Sequence, residues 1–203
     1  MRHATLAIVG LFAMLSSISS LRGDEKPAAA DAVAAAADAP KPAISIGEMR
    51  IQTIPAMPYL SMPAETTFAK MGEPVKTGFD RVFGAAYEAK LLVARPTMLV
   101  YQGGPHVHFQ PQQPFKMEIG VIVADDAKVD PAGDIKIRKT EPFKCATILY
   151  TGPVNEQGQA YQKLIPAMTA AGLKPTDEER ELCLYWEGPE SSSNIFMMMV
   201  GIK

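Results

Sequence analysis

Phe79-Asp-Arg-Val-Phe-Gly-Ala-Ala-Tyr-Glu-Ala-Lys-Leu91 and Tyr161-Gln-Lys-Leu-Ile-Pro-Ala-Met-Thr-Ala-Ala-Gly-Leu173 lie 82 residues apart and carry the same apolar pattern. Phe79, Val82, Phe83 and Ala86 fall on Tyr161, Leu164, Ile165 and Met168, which is the spacing of one helix face. Beyond each helix stands an apolar strand, Met98-Leu-Val-Tyr101 and then Leu182-Cys-Leu-Tyr185, followed by a second one, Phe115 to Ala124 and Asn194 to Lys203. A strand precedes each helix as well, Pro58 to Thr67 and the long run Ile135 to Tyr150. The chain therefore reads as two βαββ units, about 55–124 and 135–203. The expected class is α+β, a mainly antiparallel sheet with two helices on one face and a ligand cleft at the seam between the units.

The N-terminal part reads differently. Arg2 and His3 precede an apolar run from Ala4 to Ile18, then small serines and a polar stretch, which is the layout of a secretory signal over 1–23. The run is shorter than the roughly 20 residues of a membrane span, so no stable membrane insertion is expected after cleavage. Residues 24–46 are mostly Ala, Pro and Asp and read as a spacer, leaving 47–203 as the folded domain. The expected location is periplasmic or secreted.

Composition excludes one class of partner. A formal charge of −2 gives no basic footprint, so nucleic acid is not an expected partner. Cys145 and Cys183 would lie on the outer strands of the second unit, about 9 to 10 Å apart if the third strand sits between them, too far for a disulfide.

In Phe115-Lys-Met-Glu-Ile-Gly-Val-Ile-Val123, period-two alternation sends Phe115, Met117, Ile119 and Val121 toward the helices. Glu118 points to the other, uncovered face beside Gly120, as the floor of a pocket or as a solvated strand residue. Its counterpart in the second unit, with the final strands aligned, is Met198. Tyr101 and Tyr185 end equivalent strands, and Trp186 follows.

From about Met49 to Lys203 the chain resembles the GyrI-like small-molecule-binding domain, which also serves as effector-binding module in AraC-type and MerR-type regulators. The resemblance is carried by Tyr-Thr-Gly-Pro at 150–153, Ala-Gly-Leu-Lys-Pro closing the second helix, Cys-Leu-Tyr-Trp at 183–186, and Phe-Lys-Met-Glu-Ile-Gly-Val at 115–121. It implies an apolar, aromatic-lined cleft with a ligand-facing glutamate, carried over to Glu118, and walls from Tyr101 and Tyr185, with Trp186 either walling the cleft or packing outside it; Met198, as the position equivalent to Glu118, is counted among the ligand-binding residues. Such a cleft suits an amphipathic or cationic ligand. The alternative is a small-molecule hydrolase with Glu118 as general acid or base. A further alternative, haem or metal binding, rests on His106 and His108, as haem-binding SOUL proteins have a related fold. The leading reading assigns no cofactor.

Overall fold

The computed structural model describes residues 43–203 apart from 104–109, 126 and 128–132. The signal stretch, most of the spacer, and His106 and His108 lie outside the described residues. The first half is β3 (Pro58–Thr67), α1 (Gly72–Glu88), β4 (Val93–Gln102) and β5 (Pro114–Val123). The second is β7 (Phe143–Thr151), α2 (Gly158–Ala170), β8 (Pro175–Tyr185) and β9 (Ile195–Ile202). In each half the third strand lies between the other two, giving the order β7-β9-β8-β4-β5-β3 with every pairing antiparallel. The halves join where β4 meets β8, from Thr97↔Cys183 to Gln102↔Glu178. With β9 between their strands, Cys145 and Cys183 are both free thiols.

Each helix covers its own half. Val82 and Ala86 of α1 sink into a cluster with Leu60, Leu99, Met117, Ile119 and Val121. Leu164 and Met168 of α2 pack with Ala146, Ile148, Phe196, Met198 and Val200. Gly78 is required under α1, because a Cβ there would lie 2.6 Å from the Ile119 side chain. Pro166 sits inside α2 without ending it. Pro166 and Gln162 are both exposed, so the carbonyl that proline leaves unbonded faces water.

Three short strands modify the expected plan. β1 (Ser45–Ile46) and β2 (Arg50–Ile54) pair with β7, and β6 (Lys136–Lys139) pairs with β3. The stretch assigned to the spacer therefore ends before Ile44, because Ile44 and Ile46 pack on the second core. The single long strand expected over 135–150 is broken at Thr140, whose N–H donates to Met57 C=O at 2.9 Å and whose hydroxyl accepts from Met57 N–H at 2.9 Å. Ile54↔Phe143 and Pro58↔Lys139 keep one register across this break. A continuous ribbon thus ties the outer strand of one half to the outer strand of the other, and the sheet curls with its helix-free face inward. That face is not uncovered: Tyr59, Met98, Val100, Ile122, Phe143, Cys145, Leu182 and Met199 fill it as a third apolar cluster.

Candidate functional site

The seam between the halves is floored by β4 and β8, the two strands that neither helix covers by itself. Residues directly opposite in a ladder share a face. Tyr101 lies opposite Glu179, and Glu179 opposite Val200; Leu99 lies opposite Glu181, and Glu181 opposite Met198. All six look toward the helices. Tyr101 and Glu179 are fully buried and Glu181 is 7% exposed. Two carboxylates two residues apart thus stand beneath the helical layer, where an ion needs hydrogen bonds or a partner of opposite charge.

Neutral donors from both halves reach them. Tyr101 O–H donates to Glu181 Oε2 at 3.3 Å, and Gln157 Nε2, from the turn that starts α2, donates to Glu181 Oε1 at 3.2 Å. Tyr161, one turn further along, is buried, and Glu179 lies close enough to its phenol to act on it electrostatically. Burial, with the charges of Glu181 and Glu179 behind it, holds the Tyr101 phenol well above its ordinary range. Burial and then Glu179 and Glu181 do the same to Tyr161. Both phenols therefore remain protonated donors at neutral pH. The two walls differ: α2 contributes Gln157 and Tyr161, whereas the positions 82 residues earlier on α1 are Val75 and Phe79.

Of the five residues singled out from sequence, the fold brings Tyr101 and Met198 to this place. Both are fully buried. Tyr185 and Trp186 stand at the opposite end of the seam because β4 and β8 are antiparallel, so residues that end equivalent strands end at opposite edges. They are about half exposed; Tyr185 O–H donates to Glu187 at 2.7 Å, and the Trp186 ring meets Phe196 edge-on at 6.3 Å. Met198 is not the counterpart of Glu118, since ladder parity puts them on opposite faces and gives Met199 the face of Glu118.

Glu118 lies on the helix-free side. Arg138 of β6 donates to its Oε2 from Nη2 at 2.6 Å and Nε at 3.1 Å, and Ser61 Oγ donates at 3.3 Å. The guanidinium also lies 5.4 Å from the Tyr59 ring centre. Gly120 does not open a pocket floor, because the Tyr59 ring and the Leu60 carbonyl occupy the space a side chain would take. Glu118 does border an open hollow of about 580 Å³ with Pro63, Glu65, Gln102, Lys116 and Met117, built from the first half alone.

Glu179, Glu181, Gln157 and Tyr161 were not singled out from sequence as site residues. Thr176-Asp-Glu-Glu-Arg-Glu181 looks like a solvated loop by composition, yet it is the first part of β8. Extending the parity of Leu182–Tyr185 backward would have placed Glu179 and Glu181 on the face of Cys183. Among the described residues no group of three metal-ligating side chains gathers.

Residues 47–197 match the family described as GyrI-like small molecule binding domain. Comparison with curated proteins yields no match. Among solved structures, the EcmrR C-terminal domain is similar at 15% identity with a TM-score of 0.58, over 77% of this chain and 98% of that one. The EcmrR chain in its complex with DNA gives a TM-score of 0.62 at 15% identity, and this chain spans only 57% of its length. A protein called a hydrolase from Listeria innocua gives 0.55 at 12% identity, over 85% and 98% of the two chains. At these identities the likenesses establish the shared fold.

Proposed function

Because the chain belongs to the family of GyrI-like small-molecule-binding domains, we propose that it takes a small amphipathic cation into the seam between its halves. The positive end goes to Glu181 and Glu179, and the apolar body lies along the α1 side. The observation that carries this reading is the pair of buried carboxylates on β8, reached by Tyr101 from one half and by Gln157 and Tyr161 from the other. Phenol faces and carboxylates together favour a cation whose charge is spread over an apolar frame.

The seam is filled in this structure, so the ligand enters by parting the helices. The two helices pack in separate apolar clusters, and displacing one leaves the other core intact. At Glu118 a cation would first have to displace Arg138. Titration calorimetry with rhodamine 6G as the cation and Nile red as a neutral lipophile tests the reading. Glu181→Gln is expected to weaken rhodamine binding about 30-fold, equivalent to about 2 kcal/mol, and to spare Nile red. Equal affinities for rhodamine in the two proteins would remove Glu181 from the site.

A second reading, hydrolysis of a reactive small molecule, draws on the same hydrogen bond. A phenol kept protonated beside a carboxylate supplies a general acid and a general base within reach of one bound molecule. Recovery of an electrophilic ligand unchanged after incubation would eliminate it; turnover lost in Tyr101→Phe would support it.

The proposal also places the domain outside the cytoplasm, on the basic start, apolar run and small residues of 1–23. Sequencing the N-terminus of protein recovered from the periplasm or medium tests this. Protein retained in the cytosol with Met1 in place would refute it.

A further inference from the structure

Eight large apolar side chains stand out as exposed among the described residues, and five of them gather at one end of the domain. These are Tyr87 at the end of α1 (86% exposed), Leu92 before β4 (74%), and Leu184, Tyr185 and Trp186 at the end of β8 (42 to 52%). The ladder places them together. Val93 pairs with Val123, Thr97 with Cys183, and Tyr185 with Ile195, so the start of β4 and the end of β8 share an edge.

The N-terminal segment enters at the same edge. Ser45 pairs with Thr151, Thr151 with Ile195, and Ile195 with Tyr185. Three strand steps separate Ser45 from Tyr185, about 14 Å. Some 26 residues upstream is the apolar run Ala4–Ile18.

We infer that this end of the domain rests on a lipid surface. Trp and Tyr with an apolar body and a polar tip are the side chains suited to the boundary between headgroups and acyl chains, and Leu92 and Leu184 supply apolar area beside them. Membrane contact by an apolar patch of this size is weak alone. In the chain that keeps residues 4–18, that apolar run supplies a second lipid-binding signal joined to the same edge, so two modest signals act as one. Among the described side chains at this end the exposed charges are Glu88, Asp125, Glu187 and Glu190 against Lys90. Glu187 is held below its usual range by hydrogen bonds from Tyr185 and Ser191, so it stays ionised. The surface it fits is therefore zwitterionic, and anionic lipid opposes the contact.

Trp186 is the chain's single tryptophan and reports on this end directly. The full chain reconstituted with phosphatidylcholine vesicles is expected to show Trp186 emission shifted to the blue and quenched by bromine-labelled lipid. Adding phosphatidylglycerol should reduce both effects. The variant carrying Tyr87→Ser and Leu92→Ser, whose side chains are exposed, should melt as the parent does and lose the shift. Unshifted, unquenched Trp186 in the parent would overturn the inference, because a domain held to lipid only by residues 4–18 leaves the ring in water. It would equally be overturned by a shift that persists in the double variant, or by one that grows with protein concentration without vesicles, which would make the occupant a second copy of the chain.

Discussion

Lys90→Gly should make the protein more stable. Lys90 adopts φ +56°, the left-handed region, and is the described non-glycine residue that does so. It closes α1: Lys90 N–H donates to Tyr87 C=O at 3.0 Å and Leu91 N–H to Ala86 C=O at 2.9 Å. The second half makes the same turn with Gly172 at φ +68°, where Gly172 N–H donates to Thr169 C=O at 3.0 Å and Leu173 N–H to Met168 C=O at 3.0 Å. An L side chain in this conformation costs roughly 1–2 kcal/mol, and the added freedom of glycine in the unfolded chain offsets roughly 0.5–1 kcal/mol of its relief. The Lys90 side chain is exposed, so little packing is lost. The net expectation is a gain of about 0.5–1 kcal/mol, or about 1–4 °C in Tm for a domain of this size. Urea unfolding of Lys90→Gly and of Gly172→Lys should show midpoints displaced in opposite directions with unchanged slopes. A lower midpoint for Lys90→Gly would refute the reasoning that the two helices end by one shared device.

Gly120→Ala should cost about 3 kcal/mol, because its Cβ would collide with the Leu60 carbonyl and lie 2.6 Å from the buried Tyr59 ring; chemical denaturation measures it. Glu118→Gln removes a partly exposed ion pair with Arg138 and should change stability by about 0–1 kcal/mol, leaving rhodamine affinity within twofold. Burial raises the thiols of Cys145 and Cys183 to about 11 from a usual 9.0. Between those values the unfolded chain loses protons that the folded chain retains, so stability should be intact below pH 9 and fall as pH rises toward 11. Unfolding midpoints across that range check this: replacing both cysteines by alanine should remove the fall between pH 9 and 10 and leave the fall above pH 10, where the buried phenols of Tyr59, Tyr101, Tyr150 and Tyr161 contribute with the same sign.

The repeat was legible because each half buries a helix stripe and strands of recognisable period. The βαββ order, the antiparallel sheet and the helix-facing side of Phe115–Val123 all follow from that periodicity. The start of β8 was not legible, because Thr176–Glu181 is polar at nearly every position; its burial comes from the seam, which no local window contains. The inward curl was also hidden, since it depends on Met57 and Thr140 joining two distant ladders. α1 starts at Gly72, ahead of the apolar stripe that begins at Phe79, because Pro74 is tolerated in a first helical turn. Glu118 was conspicuous for being charged in an apolar strand, whereas Glu179 and Glu181 were concealed among other charges.

A crystal structure of the protein with rhodamine 6G bound bears most directly on the central claim, that the seam between the halves holds the ligand. The expected density lies over the β4–β8 pairing, between α1 and α2, with the positive charge beside Glu181. Density on the helix-free side against Glu118, with the seam still closed over Tyr101 and Glu179, would contradict it.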